Sequence, residues 1–199
     1  DAVITTRELV RLLKMRGLDI NNIEPEPADN PLSLKTGAGK IFGASGGVME
    51  AALRSAYHLV TVKELSDLDI KAVRGLEGRK EAKINIEGTE IGVAVTSGLK
   101  NASDLLDEIR AGRNDLHFIE IMACPGGCIN GGGQPIGVTA ESVAARMKSL
   151  YSIDKNDKYR ASHLNPDIQK LYKEYLGEPL GHRSHKLLHT HYSKRDVVK

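Results

Sequence analysis

The chain has 199 residues, of which 40% are hydrophobic and 27% charged, and its formal net charge at pH 7 is +2. This length suffices for one substantial domain or two small lobes. The low net charge and the 4% aromatic content argue against a nucleic-acid-binding protein or a protein that binds anionic membranes. No stretch approaches the roughly 18 consecutive apolar residues of a membrane-spanning helix. The N-terminus also lacks the pattern of a signal peptide, so a cytoplasmic protein is expected.

The first predicted unit is a strand followed by a helix. Ala2–Ile4 is apolar and largely β-branched, which favours a short strand. Thr5 and Glu8 match a capping box, and a helical apolar pattern then continues to Gly17. A strand that leads into a helix is typical of parallel α/β sheets. The proline-rich segment 21–36 predicts a loop.

The middle of the chain predicts one helix and then a section rich in strands. Residues 46–60 place small apolar side chains on one helical face. A strand is expected near Ile70–Arg74. Alternation over Lys83–Ile86 and over Ile91–Thr96, on either side of Glu87-Gly88, predicts a hairpin.

The remaining elements alternate between helix and strand. A helix is predicted from Asn101 or Ser103 to Ala111, and a buried strand over His117–Met122. Further helices are expected after Thr139 and from Pro166 to Leu176, where asparagine and proline form a start signal. The whole pattern predicts an α/β fold with a mixed, largely parallel sheet flanked by helices.

The most informative stretch is EIMACPGGCINGGGQP, residues 120–135. It holds the only two cysteines, Cys124 and Cys128, and five of the 20 glycines. Glycines at this density let the backbone approach a ligand closely and let amides point at an anion. Two thiolates on such a loop can bind an iron–sulfur cluster. The residues alone leave open a pair of buried free thiols, a disulfide, or a zinc site that would need two further ligands.

The same stretch resembles the third signature of the iron-only (di-iron) hydrogenase large subunit. GKIFGASGGVMEAALR, residues 39–54, resembles the family segment that packs against the active-site cluster. Residues 175–192 are similar to the family's C-terminal segment, so the resemblance spans nearly the whole chain. It implies that residues 1–199 are the C-terminal part of a two-lobed catalytic domain, with a helical tail at about 163–199.

The family reaction is the reversible reduction of protons to dihydrogen at an H-cluster. The cofactors implied are a 4Fe-4S cluster and a di-iron subsite joined to it through a cysteine sulfur, and a fragment can lack the di-iron subsite. By motif position, Cys124 would ligate the 4Fe-4S cluster, and Cys128 would ligate it and bridge to the di-iron unit. Met122 and Phe42 would line the di-iron pocket, and the Gly43 backbone would approach it.

Two earlier cysteine motifs of the family, similar to TSCCPGW and MPCxxK, are absent from this chain. The family holds its cluster with four cysteines, two in each half of the domain, whereas this chain has two. The family's proton-relay cysteine and the lysine that pairs with a cyanide also belong to the missing half. The chain, which begins at Asp1, is therefore interpreted as a fragment that cannot turn over hydrogen alone.

The resemblance also implies partners and an alternative function. The partners are the N-terminal half of the domain or other hydrogenase subunits, and ferredoxin or an NAD(P)-linked electron carrier. Apolar surface left exposed by a missing lobe would favour a homo-oligomer. The alternative is a non-catalytic iron–sulfur relative, such as an assembly factor, or a hydrogen sensor.

Four further polar residues are interpreted from the sequence alone. Structural or helix-capping roles are expected for Glu50 and Glu120, and a surface role for His185 and His189.

Overall fold

The architecture is taken from a computed structural model, which describes residues 2–27, 29, 32, 34–191 and 193–194. Residue 192 and residues 195–199 of the predicted tail lie outside that range. The described elements are helices α1 (Thr6–Met15), α2 (Gly37–Lys40), α3 (Gly47–Thr61), α4 (Leu99–Arg110), α5 (Ala140–Lys155), α6 (Pro166–Leu171) and α7 (His182–Leu188), and strands β1 (Arg79–Ile86), β2 (Thr89–Ser97) and β3 (Phe118–Met122).

The strands form one mixed sheet in the order β1-β2-β3. β1 and β2 are the predicted antiparallel hairpin, with Ile86 opposite Thr89. Its turn residues Glu87 and Gly88 have φ values of 48° and 90°, as a tight hairpin turn with the twist of the strands requires. β2 and β3 are parallel, and α4 makes the crossover that a parallel pair needs. The predicted α/β class with a mixed sheet is therefore confirmed, and one of the two strand pairings is parallel.

Several elements differ from the sequence-based expectation. The helix predicted over Pro166–Leu176 is α-helical only to Leu171 and continues as a π-helical turn, Tyr172–Leu176. Residues Ala2–Ile4 form no strand: their side chains are exposed, and none of the described strands pairs with them. The strand expected near Ile70–Arg74 is a single 3-10 turn, Lys71–Val73, in which only Val73 is buried. α4 begins at Leu99 rather than at Asn101, whose side-chain amide instead donates to the Ser97 carbonyl at 2.7 Å.

Helix α1 forms as predicted but packs little. Its capping box between Thr5 and Glu8 is present. None of its residues is buried, and apolar Leu9, Leu12 and Met15 are exposed. An amphipathic helix is ordinarily stabilised by packing its apolar face. Within the described part of the chain, that face of α1 is left open to solvent.

Two apolar clusters hold α3 and α5 in place. The first cluster packs Met49 and Leu53 of α3, together with Val73 of the turn Lys71–Val73, against Val93 and Val95 of β2. The second cluster joins the segment before α3 to α5. It consists of Ala44, Ile129, Val143 and Met147. Residues 39–54 therefore lie between the sheet and α5.

A buried network of charged side chains links α3 to α5. The Arg54 side chain is fully buried, and its guanidinium donates to both Asp154 carboxylate oxygens at 2.8 Å. It also donates to Glu50 Oε1 at 2.7 Å and to the Arg160 carbonyl at 2.7 Å. Arg74 donates to both Glu50 carboxylate oxygens, at 2.6 and 2.8 Å. The buried charges are thus paired and hydrogen-bonded, which is the condition under which proteins tolerate them.

Acid should destabilise the fold through this network. Hydrogen bonds from Arg160 and Arg74 lower the pKa of Asp69 from 3.8 to about 2. Burial acts to raise the pKa of Asp154, but hydrogen bonds from Arg54 and Arg160 lower it overall. A carboxyl group whose pKa is depressed in the folded state stabilises the fold above its unfolded pKa, and this stabilisation is lost as the pH falls through the folded pKa.

We expect the free energy of unfolding, measured by urea titration, to fall steadily between pH 4 and pH 2, and to fall less steeply in Asp69→Asn. Equal slopes for the two proteins would contradict the assignment.

Candidate functional site

The two cysteines lie on a loop, residues 123–133, that we call the cysteine loop. The loop begins after Met122, the last residue of β3. The Met122 carbonyl accepts a hydrogen bond at 2.9 Å from the amide of Gly98, the residue that follows β2. Both cysteines are free thiols, Cys124 half-buried and Cys128 exposed. The loop therefore starts at the carboxyl end of two parallel strands, which is where α/β proteins ordinarily bind ligands.

The cysteine loop contacts the segment 39–54 through its backbone. The Gly126 carbonyl accepts a hydrogen bond from the Ser45 amide at 3.0 Å. Gly127 has a φ of +96°, and a Cβ there would lie 2.7 Å from the Ser45 nitrogen and 2.8 Å from the Gly43 oxygen. Only glycine fits this approach without displacing the backbone. The two stretches that carry the family resemblance are therefore in direct contact.

Side chains fix the shape of the loop from several elements. Ser97 Oγ accepts from the Gly126 amide at 3.1 Å. From α5, Arg146 donates to the Ile129 carbonyl at 2.7 Å. Gln134 donates to the Cys128 carbonyl at 3.3 Å, and Asn130 to the Pro125 carbonyl at 3.1 Å. The loop is thus held at both ends and on the α5 side.

Glu120 connects β3 to the start of α3. It is buried, and its two carboxylate oxygens accept from the amides of Gly46 and Met49, each at 2.7 Å. A carboxylate at a helix N-terminus is favourable because amides and helix dipole are both directed at it. The helix-capping role predicted for Glu120 is confirmed by these contacts. Glu50, which is paired with Arg54 and Arg74, has the structural role that was the other expectation.

Lys80 supports the same segment from the sheet. Its ammonium donates to the carbonyls of Ser45 at 3.1 Å and Gly75 at 2.8 Å. Burial lowers the pKa of Lys80, and the nearby negative charge of Glu120 partly offsets that effect. Glu120 and Lys80 therefore hold the backbone that the cysteine loop contacts.

The other predicted site residues are Phe42 and Gly43, which lie in the segment 39–54, and Met122, which immediately precedes the cysteine loop. Gly43 belongs to the contact itself, since its carbonyl faces Gly127, and a Cβ at Gly43 would lie 3.1 Å from Leu150. Phe42 precedes it, with 45% of its surface exposed. Met122 is half-buried at the end of β3, opposite Ser97 in the register. It stays a prediction that Phe42 and Met122 line a pocket. The same holds for the ligand roles of Cys124 and Cys128.

The geometry of the loop fits part of an iron–sulfur site. A Cβ on Gly131 would lie 3.6 Å from Cys124 Sγ, so glycine leaves free space beside that thiol. Two thiols can supply two of the four ligands of a cubane cluster. Zinc would need further ligands beside the two thiols. Among the described residues, no histidine or carboxylate forms a set of three close metal ligands with them.

None of the described helices is long and apolar enough to cross a membrane.

Comparison with known proteins gives the family. The model described as the C-terminal domain of the iron-only hydrogenase large subunit matches residues 1–132. The chain belongs to this hydrogenase family. A second model, described as the iron hydrogenase small subunit, matches residues 140–195 of the same chain. How these segments divide into domains stays a prediction.

Two curated relatives match nearly the whole of this hydrogenase-family chain. It is 49% identical over 196 residues to the NADP-reducing hydrogenase subunit HndD of Solidesulfovibrio fructosivorans, covering 98% of this chain and 33% of the relative. It is 33% identical over 206 residues to Protein NAR1 of Arabidopsis thaliana, covering 100% of this chain and 43% of the relative. The chain thus spans less than half the length of either protein.

A solved structure agrees with the fold. A variant of the [FeFe]-hydrogenase HydA1 from Chlamydomonas reinhardtii superposes with a TM-score of 0.76 at 41% sequence identity. The match covers 96% of this hydrogenase-family chain and 55% of the HydA1 chain. The mixed sheet and its helices are therefore a hydrogenase-type fold.

Two polar clusters have no motif in the sequence. One is the buried network around Arg54. Its only signal in the sequence is that Arg54 follows Glu50 by four residues. The other joins His58, Glu64 and His163. His163 lies 99 residues from Glu64, so no local spacing could have predicted that they meet.

Proposed function

We propose that this chain is the C-terminal half of a catalytic domain that interconverts protons and dihydrogen. The observation that supports it is the contact of Gly127 with Gly43 and Ser45, which joins the cysteine loop to the segment 39–54. A contact that only glycine permits gives both stretches a fixed position relative to each other. Such a rigid frame is what the protein contributes when a cofactor carries the chemistry.

In this proposal, Cys124 and Cys128 would ligate the 4Fe-4S cluster, and Cys128 would also connect it to the di-iron subsite. The bound H-cluster supplies the redox chemistry of proton reduction. Phe42 and Met122 line the di-iron pocket, and Met122 presents a soft thioether there. The Gly43 backbone, held by the loop contact, approaches the same pocket.

The proposed partner is the N-terminal half of the domain, or another hydrogenase subunit that supplies it. The exposed apolar face of α1 and the half-exposed Phe42 are surfaces that such a partner would cover. The Arg7 amide also donates to the Gly133 carbonyl at 3.1 Å, so α1 adjoins the cysteine loop. The electron donor or acceptor is proposed to be ferredoxin or an NAD(P)-linked carrier, and the location to be the cytoplasm.

The second candidate function is that of a non-catalytic iron–sulfur relative. A match to the cytosolic iron-sulfur assembly component 3 of Mus musculus, 31% identical over 96% of this chain and 41% of the relative, favours considering it. In that case the cysteine loop would hold an iron–sulfur cluster without hydrogen chemistry. The two functions share the cysteines and differ in whether the di-iron pocket is used.

The ligand role is tested by iron and acid-labile sulfide content after anaerobic purification, with an EPR spectrum of the reduced protein. We expect about four irons per chain, or per dimer, since a cubane holds four. Cys124→Ser and Cys128→Ser should each lose most of the iron, because each removes one thiolate ligand. Ala123→Ser, a change in the same loop that spares both thiols, is the control. Unchanged iron in both cysteine variants would contradict the proposal.

Hydrogen turnover separates the two candidate functions. We expect no hydrogen evolution from the 199-residue chain alone after cofactor loading, because it carries two cysteines where the family uses four. Adding the N-terminal half as a separate chain should restore evolution. Cluster binding without hydrogen evolution in that mixture would favour the non-catalytic function.

A further inference from the structure

Two histidines and a glutamate meet at the far end of α3 from the cysteine loop. His58 lies in the last turn of α3, Glu64 follows the helix, and His163 lies in the 3-10 turn Ser162–Leu164. His58 lies eleven positions after Gly47 in α3, which corresponds to about 16 Å along the helix axis. This cluster is therefore separate from the site built by Cys124 and Cys128.

The ligand atoms of the three side chains converge. His58 Nδ1 lies 2.8 Å from Glu64 Oε1, and His163 Nε2 lies 3.1 Å from Glu64 Oε2. All three ligand atoms lie within 4.8 Å of one another. Ligands at about 2.0–2.2 Å from a tetrahedral zinc ion are themselves separated by a little over 3 Å. The cluster thus needs only small side-chain movements to surround one cation.

One contact in the cluster is poorly directed. His58 Nδ1 is shielded from solvent and lies 2.8 Å from Glu64 Oε1, but the pair does not have hydrogen-bond geometry. A hydrogen bond weakens steeply when its donor and acceptor are misaligned. A cation placed between the two side chains would be a better partner for both atoms.

A neighbouring hydroxyl fixes the orientation of the other histidine. Ser55 Oγ lies 3.2 Å from His163 Nδ1. With Nδ1 engaged in that way, Nε2 is left to face Glu64. Metal-bound histidines ordinarily use their second nitrogen for such a contact, which holds the ring and its tautomer.

We propose that His58, Glu64 and His163 bind one divalent cation of the zinc type, with water in the fourth position. Two imidazoles and one carboxylate are a ligand set that zinc accepts. The two rings are stacked at 4.1 Å with an interplanar angle of 13°, so one ring must tilt for both to point at the ion. Because 32% of the His58 side chain and 48% of the Glu64 side chain are exposed, the ion can enter from solvent.

Such an ion would join the two parts of the chain that match different family models. His58 and Glu64 lie within residues 1–132, and His163 lies within residues 140–195. A cation held by residues from both parts stabilises the folded state in which those parts are in contact. The site is thus a structural clamp between the large-subunit and small-subunit segments.

The test is a zinc titration of the full 199-residue chain, followed by calorimetry and thermal unfolding. A Cys124→Ser/Cys128→Ser background removes thiols, which would otherwise bind zinc themselves. We expect one zinc per chain and a Tm that rises with zinc concentration. His58→Ala and His163→Ala should each weaken binding at least about tenfold, and Ser55→Ala about tenfold through loss of ring positioning.

Two controls separate this site from other histidines and from misfolding. His185→Ala/His189→Ala removes the stacked histidine pair at the end of α7 and should leave zinc affinity unchanged. Glu64→Gln keeps size and polarity at an exposed position and should still weaken binding, even if a histidine variant is unstable. No zinc uptake, or uptake that survives His163→Ala and Glu64→Gln, would overturn the proposal.

Discussion

Replacing Arg54 with methionine should lower the free energy of unfolding by about 3–5 kcal/mol, as expected when one partner of a buried ion pair is removed. The Arg54 side chain is fully buried between Glu50 and Asp154, whose side chains are also fully buried. Methionine fills much of the volume but leaves Asp154 with Arg160 as its remaining cationic partner. Urea unfolding followed by circular dichroism measures the loss by linear extrapolation.

The matched control is Arg110→Met. Arg110 also pairs with an aspartate, Asp107, at 2.6 Å, but 71% of its side chain is exposed. Exposed pairs contribute little because solvent screens them and their side chains lose entropy. We expect Arg110→Met to leave the unfolding midpoint nearly unchanged. Equal midpoints for Arg54→Met and Arg110→Met would show that the buried network does not hold α3 to α5.

Replacing Gly127 with alanine should displace the cysteine loop and abolish most iron binding. The added Cβ would lie 2.7 Å from the Ser45 nitrogen and 2.8 Å from the Gly43 oxygen, both backbone atoms that cannot move alone. The φ of +96° adds strain, which costs on the order of 1–3 kcal/mol for a residue with a side chain. Iron content and the unfolding midpoint should therefore both fall.

Gly132→Ala provides the comparison within the same loop. A Cβ at Gly132 would meet no atom within 4 Å, and its φ lies outside the left-handed region. This variant should keep both its iron and its stability. If Gly127→Ala also kept its iron, the loop contact would have no part in forming the cluster site.

Local signals in the sequence predicted several elements correctly. The capping box of Thr5 and Glu8, the helix over 46–60, and the hairpin around Glu87-Gly88 are all present. Each depends on residues within a few positions of one another, which the sequence displays directly. The family resemblance assigned both the cysteine loop and residues 39–54 to the cluster, but the direct backbone contact between them was not predicted.

The parts that were missed depend on distant partners. Ala2–Ile4 has the composition of a strand but no strand to pair with, and Ile70–Arg74 is instead a turn anchored by Val73. The Arg54–Asp154 pair joins residues 100 positions apart. No periodicity connects such positions, so burial of these charges becomes visible only in three dimensions.

The buried pairing of Arg54 with Asp154 also bears on the order in which the parts of the chain can pack during folding. Arg54 lies in the segment that matches the large-subunit model, and Asp154 in the segment that matches the small-subunit model. During synthesis, α3 leaves the ribosome about 100 residues before Asp154. Until then Arg54 has Glu50, four residues earlier in α3, as a partner, but it lacks the two hydrogen bonds to the Asp154 carboxylate. Closing so long a loop is intrinsically slow. We therefore expect α3 to reach its final packing only after α5 has been synthesised.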